Sequence, residues 1–118
     1  MDLFIVVAII AVLVAIAIPQ LASYRQRAVK ASMQADAGNV ATMEEVFFDD
    51  TYSYIATTSN SGGSFVIGTQ TGLMSYGNIL QVLVSVPPTI YLIIISNETG
   101  GTGSTSYTLW NNGVMGFY

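Results

Sequence analysis

The chain has few side chains that could take part in chemistry. Its 118 residues include seven Asp and Glu, three Lys and Arg, and no His or Cys. Without His and Cys it lacks the commonest general base, the thiol nucleophile, two frequent metal ligands and any disulfide. The net charge of −4 disfavours nucleic acid as a partner, because phosphate binding needs clustered Lys and Arg. We therefore expect that the protein is not an enzyme and uses no cofactor.

One acid stands out by its position. Asp2 heads a run in which every side chain from Leu3 to Ile18 is apolar. A carboxylate in hydrocarbon is costly unless it finds a partner. Asp2 is therefore either an acid at the lipid headgroups beside a membrane span, or one half of an ion pair with another chain.

Three further patterns could do chemistry, and each has a structural alternative. The triplet Asn97-Glu98-Thr99 is an acceptor pattern for N-glycosylation, on a loop that we expect to be exposed. Asp49 and Asp50 could bind calcium, but Ca²⁺ needs about six to eight oxygen ligands, so helix termination explains them better. Several aromatic side chains could stack for electron transport, although aromatics on the inner face of a helix usually belong to the core. They are Tyr24, Phe47, Phe48, Tyr52 and Tyr54.

The N-terminal segment that carries Asp2 has the length of a membrane span. Residues 3–24 contain no charge, which makes 22 residues, and about 20 apolar residues cross a bilayer. A cleaved signal peptide would have a basic head, a shorter apolar core and a cleavage site of small residues. Here the head is acidic and "PQLASYRQR" is a poor cleavage site. We therefore predict an uncleaved, membrane-inserting helix over residues 1–24.

A globular domain is predicted over residues 25–118, and it begins with an amphipathic helix at residues 25–50. Glu44 and Glu45 mark its solvent-exposed face, and Asp49 and Asp50 mark its end. Joined to the apolar segment, this makes one helix of about 45 residues and roughly 70 Å. Pro19 lies inside it and should kink or loosen the preceding turn, since proline lacks the amide donor. The apolar stripe consists of Val29, Met33, Ala37, Val40, Met43 and Phe47.

A loop at residues 51–63 precedes a β region at residues 64–118. There the apolar residues follow a period of about two, which is typical of strands. Short polar stretches separate them, including a tight turn at "NNG" and a loose loop at "NETGGTGS". The predicted fold class is α+β, a long N-terminal helix packed on an antiparallel sheet of three to four strands. The candidate strands are residues 64–68, 79–86, 89–96, 105–110 and 114–118.

The N-terminal segment resembles the type IV pilins. The stretch "LFIVVAIIAVLVAIAIPQLASYR" is similar to the pilin N-terminal helix, which ends in an "AIAIPQ"-like stretch followed by a tyrosine and basic residues. In that register Asp2 takes the position of the family's acidic residue, normally glutamate, and Pro19 that of its helix-loosening proline. Ala11 stands where a glycine is common. The stretch "FFDDTYSY" also resembles the segment that ends the long helix in short bacterial pilins.

The resemblance implies a structural subunit that polymerises through its apolar helix into a helical pilus of identical copies. Its partners would be copies of itself, a prepilin peptidase and the pilus assembly machinery, with no nucleic acid. It would lie in the inner membrane before assembly and in an extracellular pilus afterwards.

Mature pilins usually begin three residues before the position of Met1, with an N-methylated phenylalanine. The only basic residues, Arg25, Arg27 and Lys30, follow the apolar run, and alone they would hold the C-terminal domain in the cytoplasm. Export of that domain therefore predicts a short basic leader encoded upstream of Met1.

In such a filament the carboxylate of Asp2 would neutralise the ammonium at the N-terminus of a neighbouring subunit. Docking in the correct register is then favoured, because an unpaired charge in an apolar core is costly. The helix dipole also favours an acid in the first turn. Pro19 would allow local melting of the helix on assembly. Two alternatives remain: a major pseudopilin of a type II secretion system, and a bitopic membrane-anchored binding domain.

Overall fold

A single long helix dominates the structure, which is a computed structural model describing residues 2–98, 106–113 and 115–117. Helix α1 spans Asp2–Thr51 without interruption, and the molecule is 75 Å long. Proline and glycine are the least favourable residues inside a helix, and α1 contains only one of each, Pro19 and Gly38. The predicted union of an apolar and an amphipathic segment in one helix is confirmed.

Two antiparallel sheets follow the helix. Strands β1 (Ser64–Ile67) and β2 (Gln70–Leu73) form a separate hairpin. The second sheet has the order β3-β4-β5-β6, with β3 at Asn78–Val84, β4 at Tyr91–Asn97, β5 at Ser106–Trp110 and β6 at Met115–Phe117. All neighbouring strands are antiparallel. The predicted α+β class is thereby confirmed, and β2 is an additional strand that was not predicted.

The core lies between the second half of α1 and the four-stranded sheet. Met33, Ala37 and Val40 are completely buried, and Val29, Met43 and Phe47 pack beside them. The helix rests mainly on β4 and β5. Alternate residues of the sheet face it, which is the pattern of a sheet with one buried face. The predicted apolar stripe is therefore confirmed. The sheet contributes Leu80, Val82, Tyr91, Ile93, Ile95 and Tyr107 to this core.

Pro19 does not interrupt α1, and the residues on both sides of it are helical. Proline removes one backbone hydrogen bond, but helix formation is cooperative and the long segments on both sides maintain it. In the single chain the helix is thus continuous where we expected a loosened turn. Melting on assembly stays a prediction about the filament.

The helix ends through a left-handed residue. Tyr52 has φ of 57°, and its N–H donates to the carbonyl of Phe48 at 2.7 Å, which is the single-bond cap of an αL terminus. The hydroxyl of Thr51 donates to the carbonyl of Phe47 at 2.7 Å. The chain then turns back along the helix, so that Tyr54 and Ile55 lie beside its last turns.

Candidate assembly surface

The first half of α1 carries an apolar surface that the rest of the described chain does not cover. From Leu3 to Leu21 the large apolar side chains are between 47% and 76% exposed. The first buried residue of the helix is Met33. By length and composition alone, this segment could cross a membrane. An apolar surface of this extent requires a lipid or protein environment.

Asp2 and Pro19 lie at the two ends of this surface. Asp2 is exposed in the first turn of α1, and Pro19 is 17 positions further along the chain, which is about 26 Å in a helix. The structure therefore does not bring the two predicted assembly residues together. Among the described residues, no side chain pairs with the carboxylate of Asp2.

Basic side chains mark the point where the apolar surface ends. Arg25 and Arg27 are exposed, and the guanidinium carbon of Arg27 lies 6.0 Å from the ring centroid of Tyr24. The Nζ atom of Lys30 lies 5.2 Å from the ring centroid of Phe117. Both distances are within the range of cation–π attraction. Lys30 thus connects the helix to β6, whereas the two arginines are exposed.

A buried aspartate fixes α1 to the connection between β2 and β3. Asp36 is 6% exposed and accepts hydrogen bonds from the backbone N–H of Ser75 at 2.9 Å and its hydroxyl at 3.0 Å. The Nδ2 atom of Asn78 donates to the same carboxylate at 2.6 Å. Three donors compensate the desolvation of this charge. Asp36 was not among the predicted site residues, although it lies beside Ala37 of the apolar stripe.

Asn97 belongs to the same polar network. It is the last residue of β4 and only 4% exposed, and its Nδ2 atom donates to Oδ1 of Asn78 at 2.5 Å. The expected exposure of this asparagine is therefore corrected: the strand extends one residue beyond the predicted end and turns the side chain inward. Because Nδ2 is the atom that would carry the sugar, this geometry disfavours glycosylation. Thr99 and most of the predicted loose loop lie outside the described residues.

Glu44 is the second buried acid, and here the predicted solvent-exposed position is wrong. It is completely buried, because the segment after the helix folds back over the last turns of α1. Its Oε2 atom accepts a hydrogen bond from the N–H of Ile55 at 3.1 Å. Its Oε1 atom has no hydrogen-bond partner among the described residues. Burial raises the pKa of Glu44 to about 7, repulsion from Glu45 adds to the rise, and the Ile55 hydrogen bond opposes it.

Glu45 is exposed, as predicted, and it also takes part in hydrogen bonds. Its Oε1 atom accepts hydrogen bonds from the phenol of Tyr54 at 3.1 Å and that of Tyr91 at 3.3 Å. Burial, together with the charge and hydrogen bonds of Glu45, raises the pKa of both phenols. Each phenol therefore stays protonated and donates to Glu45 at neutral pH, which holds the end of α1 against β4.

Four aromatic side chains form a compact cluster at this end of the helix. Phe48 stacks on Tyr54 with ring centroids 4.5 Å apart, and Tyr54 meets Tyr91 edge-on at 4.6 Å. Tyr52 contacts Phe48 at 6.4 Å. The described ring contacts do not extend down α1 to Tyr24. This arrangement fits the structural interpretation of the aromatics better than electron transport.

The comparisons add no relative. No protein family model matches the chain, and comparisons with curated proteins and solved structures gave no significant match. Within the described residues, no group of three or more His, Cys, Asp or Glu side chains could hold a metal ion.

Proposed function

We propose that this chain is the structural subunit of a type IV pilus-like filament and polymerises through the apolar half of α1. The observation that carries the proposal is the uninterrupted helix, exposed and apolar from Leu3 to Leu21 and buried in the domain from Met33 onward. A rigid helix of this kind can hold its small domain at a fixed distance from whatever covers the apolar half.

Either lipid or other copies of the helix could cover the apolar half, and a filament subunit would use both in turn. Burying one Leu, Ile, Val or Phe side chain is worth about 1.5–3 kcal/mol, so water is excluded as a stable environment for this segment. Before assembly the inner membrane would surround it. In the filament the same side chains would pack against parallel copies, and the domains would form the outside.

Asp2 favours the filament over a plain membrane anchor. An anchor needs only apolar length, and an acid in its first turn would add nothing to it. In a bundle of identical helices, the carboxylate of Asp2 would pair with the N-terminal ammonium of a neighbour. Each added subunit would then compensate one charge that would otherwise be buried alone.

The best-founded alternative is a bitopic membrane protein with a small exposed domain. By length and composition, α1 could serve as a single membrane span, and this observation favours a bitopic protein as much as a filament subunit. The two functions differ in where the chain is found. A bitopic protein stays in the membrane fraction, whereas a pilus subunit leaves the membrane and enters extracellular fibres.

The deciding experiment is to shear intact source cells and examine the released material by negative-stain electron microscopy and mass spectrometry. We expect helical fibres whose main component is this chain. Cells carrying a deletion of the gene serve as the control and should lack those fibres. The proposal is overturned if fibres persist unchanged in the deletion strain, or if the whole chain stays in the membrane fraction of fibre-forming cells.

A further inference from the structure

Four polar side chains form one groove on α1, where the apolar surface ends. The groove is lined by Gln20, Ser23, Tyr24 and Arg27, and all four are exposed. At about 100° per residue, they lie within roughly 100° of one another around the helix axis. The guanidinium of Arg27 lies beside the ring of Tyr24, with its carbon 6.0 Å from the ring centroid. One face of the helix therefore presents an amide, two hydroxyls and a cation together.

The same face is apolar on the side towards the N-terminus. Ile16, Leu13 and Ile9 are between 55% and 61% exposed, and each lies within about 40° of Arg27 around the axis. The uncharged run at residues 3–24 is about 33 Å long in a helix, which matches a hydrocarbon layer of about 30 Å. When this run fills the hydrocarbon, the groove lies at the level of the lipid headgroups.

We propose that this groove binds the phosphate headgroup of an anionic phospholipid, whose acyl chain follows Ile16 and Leu13 along the helix. The guanidinium presents paired donors to a phosphate. Gln20, Ser23 and Tyr24 supply further donors to the remaining headgroup oxygens. The proposal rests on the membrane-inserted stage of the proposed function, which the bitopic alternative shares.

The charges of α1 favour an anionic lipid over a zwitterionic one. No acidic residue lies between Asp2 and Asp36 in the sequence, so α1 has no carboxylate beside the groove for the ammonium of a zwitterionic headgroup. Asp36 itself is buried and already accepts three hydrogen bonds. Arg25 and Lys30 add two positive charges within three positions of Arg27, and basic side chains near a membrane surface attract anionic lipids.

Arg25 provides a comparison within the same helix, because it lies about 200° from Arg27 around the axis. The positions three, four and seven before Arg27 are the other residues of the groove, whereas the same positions before Arg25 carry no side-chain hydrogen-bond donor. Those positions are Ala22, Leu21 and Ile18. Both arginines attract anionic lipid by their charge, but only Arg27 has polar neighbours that hold the headgroup. The lipid preference should therefore be concentrated on the face of Arg27.

Fluorescence quenching by brominated lipids tests this in the full-length chain, reconstituted into vesicles of phosphatidylcholine and phosphatidylglycerol. Trp110 is the only tryptophan, so Trp110→Phe gives a background in which a single reporter can be placed. Ile16→Trp and Val14→Trp are matched reporters, because both positions are exposed. The first lies 11 positions before Arg27 and the second 11 positions before Arg25.

Brominated phosphatidylglycerol should quench the Ile16→Trp reporter more strongly than brominated phosphatidylcholine does, corresponding to a local enrichment of about fivefold. The Val14→Trp reporter should show a clearly smaller enrichment. Arg27→Gln should abolish most of the enrichment at the Ile16→Trp reporter. Arg25→Gln is the matched control, since it removes the same charge from the opposite side of the helix, and it should leave most of that enrichment in place.

Equal enrichment at the two reporters, or an equal loss from the two arginine substitutions, would show a diffuse attraction of anionic lipid and refute the groove as a binding site. Equal quenching by the two lipids at the Ile16→Trp reporter would refute it as well. If no brominated lipid quenches either reporter, α1 does not enter the bilayer, and the membrane-inserted stage is refuted together with the groove. Absence of fibres from sheared cells refutes the filament without changing the quenching results, so the two failures are distinguishable.

Discussion

Replacing Glu44 by Gln should remove most of the pH dependence of the domain's stability. Glu44 is completely buried at the contact between α1 and the segment around Ile55, and one of its oxygens has no partner among the described residues. Ionisation therefore places a poorly compensated charge in the core, which is costly. Glutamine has nearly the same shape and keeps an acceptor for the N–H of Ile55, but it cannot ionise.

The sign and magnitude follow from the pKa. Burial raises the pKa of Glu44 from its ordinary value of 4.5 to about 7. Because the folded state binds the proton more tightly than the unfolded state, the full stabilisation is present below pH 4.5 and is lost as the pH rises towards 7. One pKa unit corresponds to about 1.4 kcal/mol, so the free energy of unfolding should fall by roughly 3 kcal/mol across this window.

Urea denaturation of the full-length chain in a mild non-ionic detergent measures this effect. Trp110 is the only tryptophan and lies in β5, so its fluorescence reports on the sheet. The wild type should lose roughly 3 kcal/mol of unfolding free energy between pH 4.5 and pH 8. Glu44→Gln should lose far less over the same range and be more stable than the wild type at pH 8.

Asp50→Asn is the matched control, since it also converts a carboxylate to an amide in the last turns of α1, but at an exposed position. It should keep the pH dependence of the wild type. Equal stability of the wild type at both pH values would show that Glu44 does not titrate as inferred. Retention of the full loss by Glu44→Gln would show that another group titrates.

Four further changes have defined outcomes. Replacing Asp2 by Asn or Ala should lower filament yield several-hundred-fold, because leaving a buried charge unpaired costs roughly 3–5 kcal/mol. Asp2→Glu should retain filaments, and a normal yield from Asp2→Asn would exclude charge pairing. In a filament density map, the turn before Pro19 should have lost helical hydrogen bonds, because proline cannot donate and disfavours helix at the preceding residue; a continuous helix there would contradict this. Gly68→Ala should lower the melting temperature of the domain, because Gly68 has φ of 62° and an added Cβ would lie 2.5 Å from Cδ2 of Phe47. An unchanged melting temperature would show that this turn can relax to fit the extra methyl group. Gly38→Ala should raise it by the equivalent of about 1 kcal/mol, because a Cβ at this exposed helical position meets nothing within 4 Å; a lower value would reveal a contact that the single chain does not contain.

The sequence predicted the elements whose hydrophobic period is long and regular. Helix α1 and its apolar stripe were predicted because about five turns of the amphipathic segment repeat the same pattern. The longest strands, β3 and β4, were predicted for the same reason. Strand β2 was missed because "QTGL" has no alternation of buried and exposed residues and forms only by pairing with β1.

The buried acids could not be placed from the sequence. Glu44 and Glu45 are adjacent and chemically alike, and a helical pattern assigns both to a solvent-exposed face. Which one is buried depends on the path of residues 52–55, and that path is set by the left-handed turn at Tyr52 and the stacking of Tyr54 on Phe48. Asp36 is likewise explained only by donors about 40 positions away in the chain, Ser75 and Asn78.

Folding and the proposed assembly would use different parts of the same helix. Packing of α1 against the described core begins at Val29, so the domain does not use the apolar half, and substitutions there should leave domain stability unchanged. Conversely, the side chains that fix α1 to the sheet, Asp36 and Glu45, already have partners within the subunit. In the proposed filament, the groups left for contact with other copies would be Asp2 and the exposed apolar surface. Such a subunit would fold completely in the membrane and keep its polymerising surface intact, because the helix that packs in the core of its domain projects beyond that domain.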